Sequence, residues 1–112
     1  MARKSSKLIV NYTDLARRTL KEIWNWNAKE YGTDRADKYT AFLRAEADKL
    51  ATTHLKGRPV PTRPDYRYIL IKRSEKGHGH IAIYTTTAST VELLAFYHTS
   101  QDWQGKAERG EV

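Results

Sequence analysis

The strongest constraint on this chain lies in its last third, where three β-favouring runs, Tyr66 to Arg73, His80 to Thr86 and Thr90 to His98, follow one another across short connections. Strands joined by so few residues have no room for a crossover, so they are expected to pair antiparallel. Ser74 to Gly79 offers a hairpin loop with glycines for positive φ, and Thr87 to Ser89 offers the second turn. The final stretch, Val91 to Trp103, runs from apolar strand directly into His98, Thr99, Ser100, Gln101 and Asp102. Polar side chains delivered to a sheet end are well placed to meet a ligand.

Upstream, Lys7 to Tyr12 reads as a short strand and Thr13 as the N-cap of a helix over Asp14 to Tyr31. Ala16, Leu20, Ile23, Trp24, Asn27 and Tyr31 recur at three- and four-residue spacing, the stripe of an amphipathic helix, and Gly32 suits its stop. Trp26, two residues from Trp24, falls at the edge of that stripe or outside it. A second helix is predicted from Thr33 or Asp34 to about Thr53, with Ala36, Tyr39, Phe42, Leu43, Ala47 and Leu50 on its apolar side. The short Gly-Thr-Asp link makes the two an antiparallel helical hairpin. Pro59, Pro61 and Pro64 crowd His54 to Asp65, which reads as a crossing loop without regular structure. The predicted fold is therefore α+β: a small antiparallel sheet of element order β-α-α-β-β-β, with the helical hairpin on one face. One domain spans 1–112; residues 1–6 and the polar stretch 104–112 are expected to be flexible.

Composition narrows function by exclusion. With no Cys, disulfides, thiolate metal sites and thiol nucleophiles are ruled out. The basic start, Met1 to Lys7, leads into only Leu8, Ile9 and Val10, far short of a signal-peptide core or a membrane span, so a cytoplasmic protein with no membrane partner is expected. No phosphate-binding glycine loop, nucleophile elbow or paired-carboxylate motif occurs, and no cofactor is expected. His78 and His80, two residues apart in a glycine-flanked hairpin, lack the third ligand a metal site needs, so no metal is expected either. Twenty Lys and Arg against 13 Asp and Glu give a net charge of +7, which favours an anionic partner, either nucleic acid or an acidic protein. Arg67, Lys72, Arg73, Lys76, His78 and His80 could present cations to a phosphate backbone, with Arg67 and Arg73 on one strand face and Lys72 on the other. Ordinary solubilising charge accounts for them equally well.

The element order, the Leu-Lys-Glu-Ile-Trp-Asn-Trp segment at Leu20 to Trp26, and the ending Val91-Glu92-Leu93-Leu94 through His98 to Asp102 resemble the RelE/ParE superfamily of bacterial type II toxins. The resemblance covers Lys7 to Trp103 and implies a small twisted antiparallel sheet carrying a helical hairpin. It also implies a cognate antitoxin, acidic or amphipathic where it binds, which the +7 charge would complement. On that footing Trp26, Arg17, Arg18 and Lys21 are candidates for antitoxin contact, and Arg67, Lys72, Arg73, His80 and Trp103 for the target. Two actions are implied: ribosome-dependent mRNA cleavage in RelE-like members, and inhibition of DNA gyrase in ParE-like members. The RelE-like pattern has an Arg just after the strand-terminal His and a Tyr a few residues later; here those places hold Thr99 and Trp103. Cleavage by a ribose 2′-hydroxyl needs a proton acceptor, a proton donor and a cation, and Thr99 supplies none of them. His98 is the one catalytic candidate, should the protein be a nuclease. The expectation is a ParE-like toxin that acts by binding, with an mRNA endoribonuclease as the alternative and a non-toxic basic nucleic-acid-binding module as a third reading.

Overall fold

The computed structural model describes residues 7–75 and 78–112. The basic start at 1–6, expected to be flexible, and the loop residue Lys76, a candidate cation, lie outside the described residues. In chain order the elements are β1 (Ile9–Tyr12), α1 (Asp14–Tyr31), α2 (Thr33–Asp48), α3 (Leu50–Thr53), β2 (Arg58–Val60), β3 (Arg63–Ile71), β4 (His80–Thr86), β5 (Thr90–His98) and α4 (Trp103–Glu108). The strands form one sheet in the order β1-β5-β4-β3-β2.

The helical hairpin forms where its punctuation lies. Thr13 Oγ1 accepts the Ala16 N–H and caps α1. Gly32, at φ 95°, closes it and lets α2 start one residue later. Ala16 and Leu20 from α1 and Leu43 and Ala47 from α2 pack on Ala82, Tyr84, Val91, Leu93 and Phe96 of the sheet. Each large side chain buried there, such as Leu43, Leu93 or Phe96, contributes roughly 1.5–3 kcal/mol. Tyr31, expected on the stripe, instead stands 53% exposed at the end of α1.

The α+β class holds, but the sheet is mixed. β3, β4 and β5 pair antiparallel as their short turns require, whereas β1 runs parallel to β5, with Ile9 opposite Thr90. β1 is joined to the rest through three helices, so no tight turn dictates its direction. The second helix breaks at Lys49 into α2 and α3, and both Thr52 and Thr53 turn their hydroxyls back to the Lys49 carbonyl. The proline-rich crossing is not devoid of structure either. Pro59 sits in the edge strand β2, where a missing N–H is tolerated, and Pro64 falls where β3 has no residue opposite it on either neighbour. The stretch after Trp103 is also ordered: α4 and Val112 lie on the sheet face away from the hairpin, against Val60, Ile81, Ile83, Ala95 and Tyr97, with Ala107 fully buried.

Two features of β5 decide what its end presents. Leu94 is an extra residue, a bulge between the Ile83–Ala95 and Tyr84–Leu93 pairs. Leu93 faces the hairpin, Leu94 and Ala95 both face α4, and Phe96 faces the hairpin again. Without the bulge, His98 would point towards α4; with it, His98 follows Phe96 onto the hairpin side. Beyond Leu93, β1 no longer flanks β5, and α1 takes over the free edge. Thr13 donates its N–H to Leu93 O (3.0 Å) and its hydroxyl to Leu94 O (3.2 Å), while the Phe96 N–H donates to Thr19 Oγ1 (2.9 Å). Thr19 is buried because it stands in for a missing strand, and it pins α1 over the end of β5.

Candidate functional site

A cleft of about 520 Å³ opens between α1 and the end of the sheet. Trp26, Asn27 and Glu22 line it from α1, Tyr39 from α2, and His78, His80, His98, Ser100 and Gln101 from the sheet end. His80 pairs directly with His98 across β4 and β5, and their rings meet edge to face at 5.3 Å between centroids. His78 lies 5.3 Å from His98 on the other side.

His80 and His98 sit in different surroundings. His80 is only 9% exposed, alternating with Ala82 and Tyr84 on the buried face of β4, and its Nδ1 is 2.6 Å from the Tyr39 hydroxyl. Burial, reinforced by neighbouring His98, pushes its pKa down to about 4, so it is neutral at physiological pH. Tyr39 is held protonated by burial, against the opposing pull of the Arg73 guanidinium. His98 is also shifted downward, first by partial burial and then by His78. Its tautomer follows from its neighbours. The Ser100 backbone N–H can only donate, and it reaches His98 Nδ1 at 3.1 Å, so that nitrogen is an acceptor and the ring proton sits on Nε2. Ser100 Oγ adds a second contact to Nδ1 at 2.7 Å, and Gln101 Oε1 accepts the His98 N–H at 2.7 Å. His98 thus lines the cleft with Nδ1 engaged by Ser100, which leaves Nε2–H as its hydrogen-bond donor.

Other candidate residues part company. Arg67 lies midway along β3, whereas Arg73 falls two residues past its end and so is not on a strand face with it, about 20 Å away at ~3.3 Å per residue. Arg67 pairs with Tyr84, and its guanidinium donates to Gly57 O (2.7 Å) and Leu55 O (3.4 Å). Arg73 lies over Phe42 and Tyr39 and lines not this cleft but a groove at the hairpin loop with Leu70, Lys72, Ser74 and Glu75. Lys72 donates to Glu75 O within the hairpin loop. His80, expected as a cation near the turn, is instead a buried neutral group, because the strand carries it under Tyr39. Trp103 is not at the cleft: it opens α4 on the opposite face and packs on Tyr68, ring centroids 4.6 Å apart. Of the α1 candidates, Trp26 is 56% exposed at the cleft rim and meets Tyr31 edge-on. Arg17 is paired with Asp14 and Lys21 lies over Trp24, both off the Trp26 side of the helix, while Arg18 precedes Trp26 by two turns. Tyr39, Asn27, Ser100 and Gln101 were not singled out individually from sequence as site residues; Tyr39 and Asn27 were legible only as members of apolar stripes.

Among the described residues no three His, Asp or Glu side chains converge as metal ligands, and no helix is long and apolar enough to cross a membrane. The model of the ParE toxin of type II toxin-antitoxin systems, parDE, matches residues 10–103. The chain belongs to the ParE toxin family. The fold is similar to that of a chain in a solved structure described as the chromosomal ParDE toxin-antitoxin system from P. aeruginosa, which superposes with a TM-score of 0.70. That match covers 84% of this chain and 98% of the other at 17% identity, a likeness of fold. No curated protein matches the sequence significantly. ParE-family membership matches the resemblance carried by the Leu20 to Trp26 segment and the β5 ending, both of which fall inside the matched residues.

Proposed function

We propose that this ParE-family toxin halts growth by binding DNA gyrase, and that a cognate acidic antitoxin neutralises it by covering the exposed side of α1. The observation that carries the binding reading is the state of His98. A ring whose Nδ1 lone pair is engaged by the Ser100 N–H offers the cleft no free proton acceptor in this tautomer, and Thr99 beside it brings no cation. Of the other expected parts of a nuclease, Arg67 is bound to backbone carbonyls midway along β3 and Trp103 lies on the opposite face, so that only Arg73, over Tyr39, stays near His98. An enzyme needs its proton donor, proton acceptor and cation within one substrate's reach; a binding protein does not.

The antitoxin reading rests on charge and exposure together. The chain carries +7, and α1 presents the Trp26–Tyr31 pair at its surface with the Arg35 guanidinium over the Tyr31 ring, an aromatic anchor beside a cation that suits an amphipathic acidic segment. Purified protein is expected to inhibit gyrase supercoiling of plasmid DNA, and premixing with the antitoxin is expected to restore it. Full supercoiling at saturating toxin would remove gyrase from the account.

A further inference from the structure

The cleft beside His98 is lined by aromatic rings and side-chain amides. We propose that it holds one unpaired nucleotide, the base between Trp26 and the histidine rings and the phosphate on the Arg73 side. This goes beyond the gyrase and antitoxin reading and does not depend on it.

Three observations carry the proposal. First, the walls are rings. Trp26 stands half-exposed on one rim, and Tyr39, His80 and His98 form the other wall, with His98 edge-on to His80. Flat apolar faces with polar edges suit a planar heterocycle, which stacks on any ring presented to it. Second, the amides are set by backbone bonds. Asn27 donates its NH2 to Ile23 O (2.9 Å), which leaves Oδ1 to accept; Gln101 accepts the His98 N–H on Oε1 (2.7 Å), which leaves its NH2 to donate. The Watson–Crick edge of every nucleobase places a donor next to an acceptor, so one free acceptor and one free donor at the same cleft match that class. His98 adds a second donor through Nε2. Third, charge sets direction. The Glu22 carboxylate at the α1 wall repels a phosphate, and the Arg73 guanidinium, outside the cleft lining but 6.0 Å from the centre of the Tyr39 ring that lines it, attracts one. A cleft of about 520 Å³ has room for one nucleotide.

The test uses the full chain and four probes: AMP, CMP, GMP and UMP. Side-chain amide signals of Asn27 and Gln101 and the indole N–H of Trp26 are followed by NMR during titration. At least one nucleotide is expected to move all three saturably. Trp26→Ala, at an exposed position that leaves the core intact, is expected to weaken binding by roughly tenfold through lost stacking, and Asn27→Ala by a smaller factor. A short single-stranded oligonucleotide binding more tightly than the mononucleotide assigns the source to an unpaired strand; equal affinity assigns it to the free nucleotide. No movement with any of the four, or unchanged affinity in both variants, overturns the proposal. So does movement with an Asp- and Glu-rich peptide alone, which makes the cleft a peptide seat. Because the readout is nucleotide binding, it stands or falls separately from gyrase inhibition.

Discussion

The β3–β4–β5 sheet has two polar ends, and they differ in how much hydrogen-bonding capacity they leave unused. At one end Tyr84 donates its hydroxyl to His54 O (2.7 Å) and accepts the Gly57 N–H (3.1 Å), and Arg67 clamps Gly57 O. Those groups tie the proline-rich crossing to the sheet. At the other end the histidines and amides satisfy their neighbours and still keep free valence towards a cleft, as at Asn27 Oδ1, the Gln101 NH2 and His98 Nε2. Both ends look alike in sequence, with a cation, an aromatic and a glycine each. The difference teaches that a polar side chain whose hydrogen bonds end on its own backbone holds the fold, while one with capacity to spare at an open cleft is available to a ligand.

The comparison is broken most forcefully at the knotted end. A Cβ at Gly57 would collide with the Tyr84 hydroxyl and ring, so Gly57→Ala must displace a fully buried tyrosine. Its expected cost is about 3 kcal/mol in urea denaturation, with Tyr84→Phe following at about 1–3 kcal/mol as the His54 carbonyl and Gly57 N–H lose their partner. A Gly57→Ala protein as stable as the parent would show that this knot is loose.

Acid sharpens the comparison from the cleft end. The folded pKa of His80 is depressed from 6.5 to about 4, so above pH 6.5 neither state binds the proton and stability is whole. Between pH 6.5 and 4 the unfolded chain binds it while the folded chain does not, and stability falls as pH falls. The loss is expected to approach about 3 kcal/mol by pH 4, seen as a falling urea midpoint, and most of it should vanish in His80→Gln. An identical pH profile in that variant would locate the acid sensitivity elsewhere.

Arg67→Ala is expected to cost about 1.5–3 kcal/mol, the range for hydrogen bonds from a charged group, and to leave growth arrest per folded molecule unchanged. His98→Gln should do the least to stability, within about 1 kcal/mol. If His98 only binds, growth arrest should survive this change within several-fold; a proton-transfer role would instead lose roughly 10²–10⁴-fold. Induction series with quantified soluble protein separate the two.

Much of this was legible beforehand, and the gaps have physical reasons. The helical hairpin was readable because Thr13, Gly32 and two regular apolar stripes are local signals. The antiparallel β3–β4–β5 order followed from short turns. The cover supplied by α4 went unread because Trp103 to Glu108 has little apolar content of its own, yet β4 held the signal: Ile81 and Ile83 on one face with Ala82 and Tyr84 on the other require both faces to be covered. The bulge at Leu94 is invisible in a run of apolar residues, and so, therefore, was the side to which His98 turns. Arg67 was read as a ligand-facing cation because sequence shows charge but not the carbonyls that claim it. The His80–Tyr39 bond joins residues 41 positions apart, beyond the reach of any periodicity.

The central claim is that this ParE-family toxin arrests growth by occupying its target without cutting RNA. Genome-wide mapping of mRNA 5′ ends before and after induction tests it most directly. The account expects no new ends within translated messages while growth stops; codon-phased cleavage appearing with the arrest, and lost in His98→Gln, would contradict it.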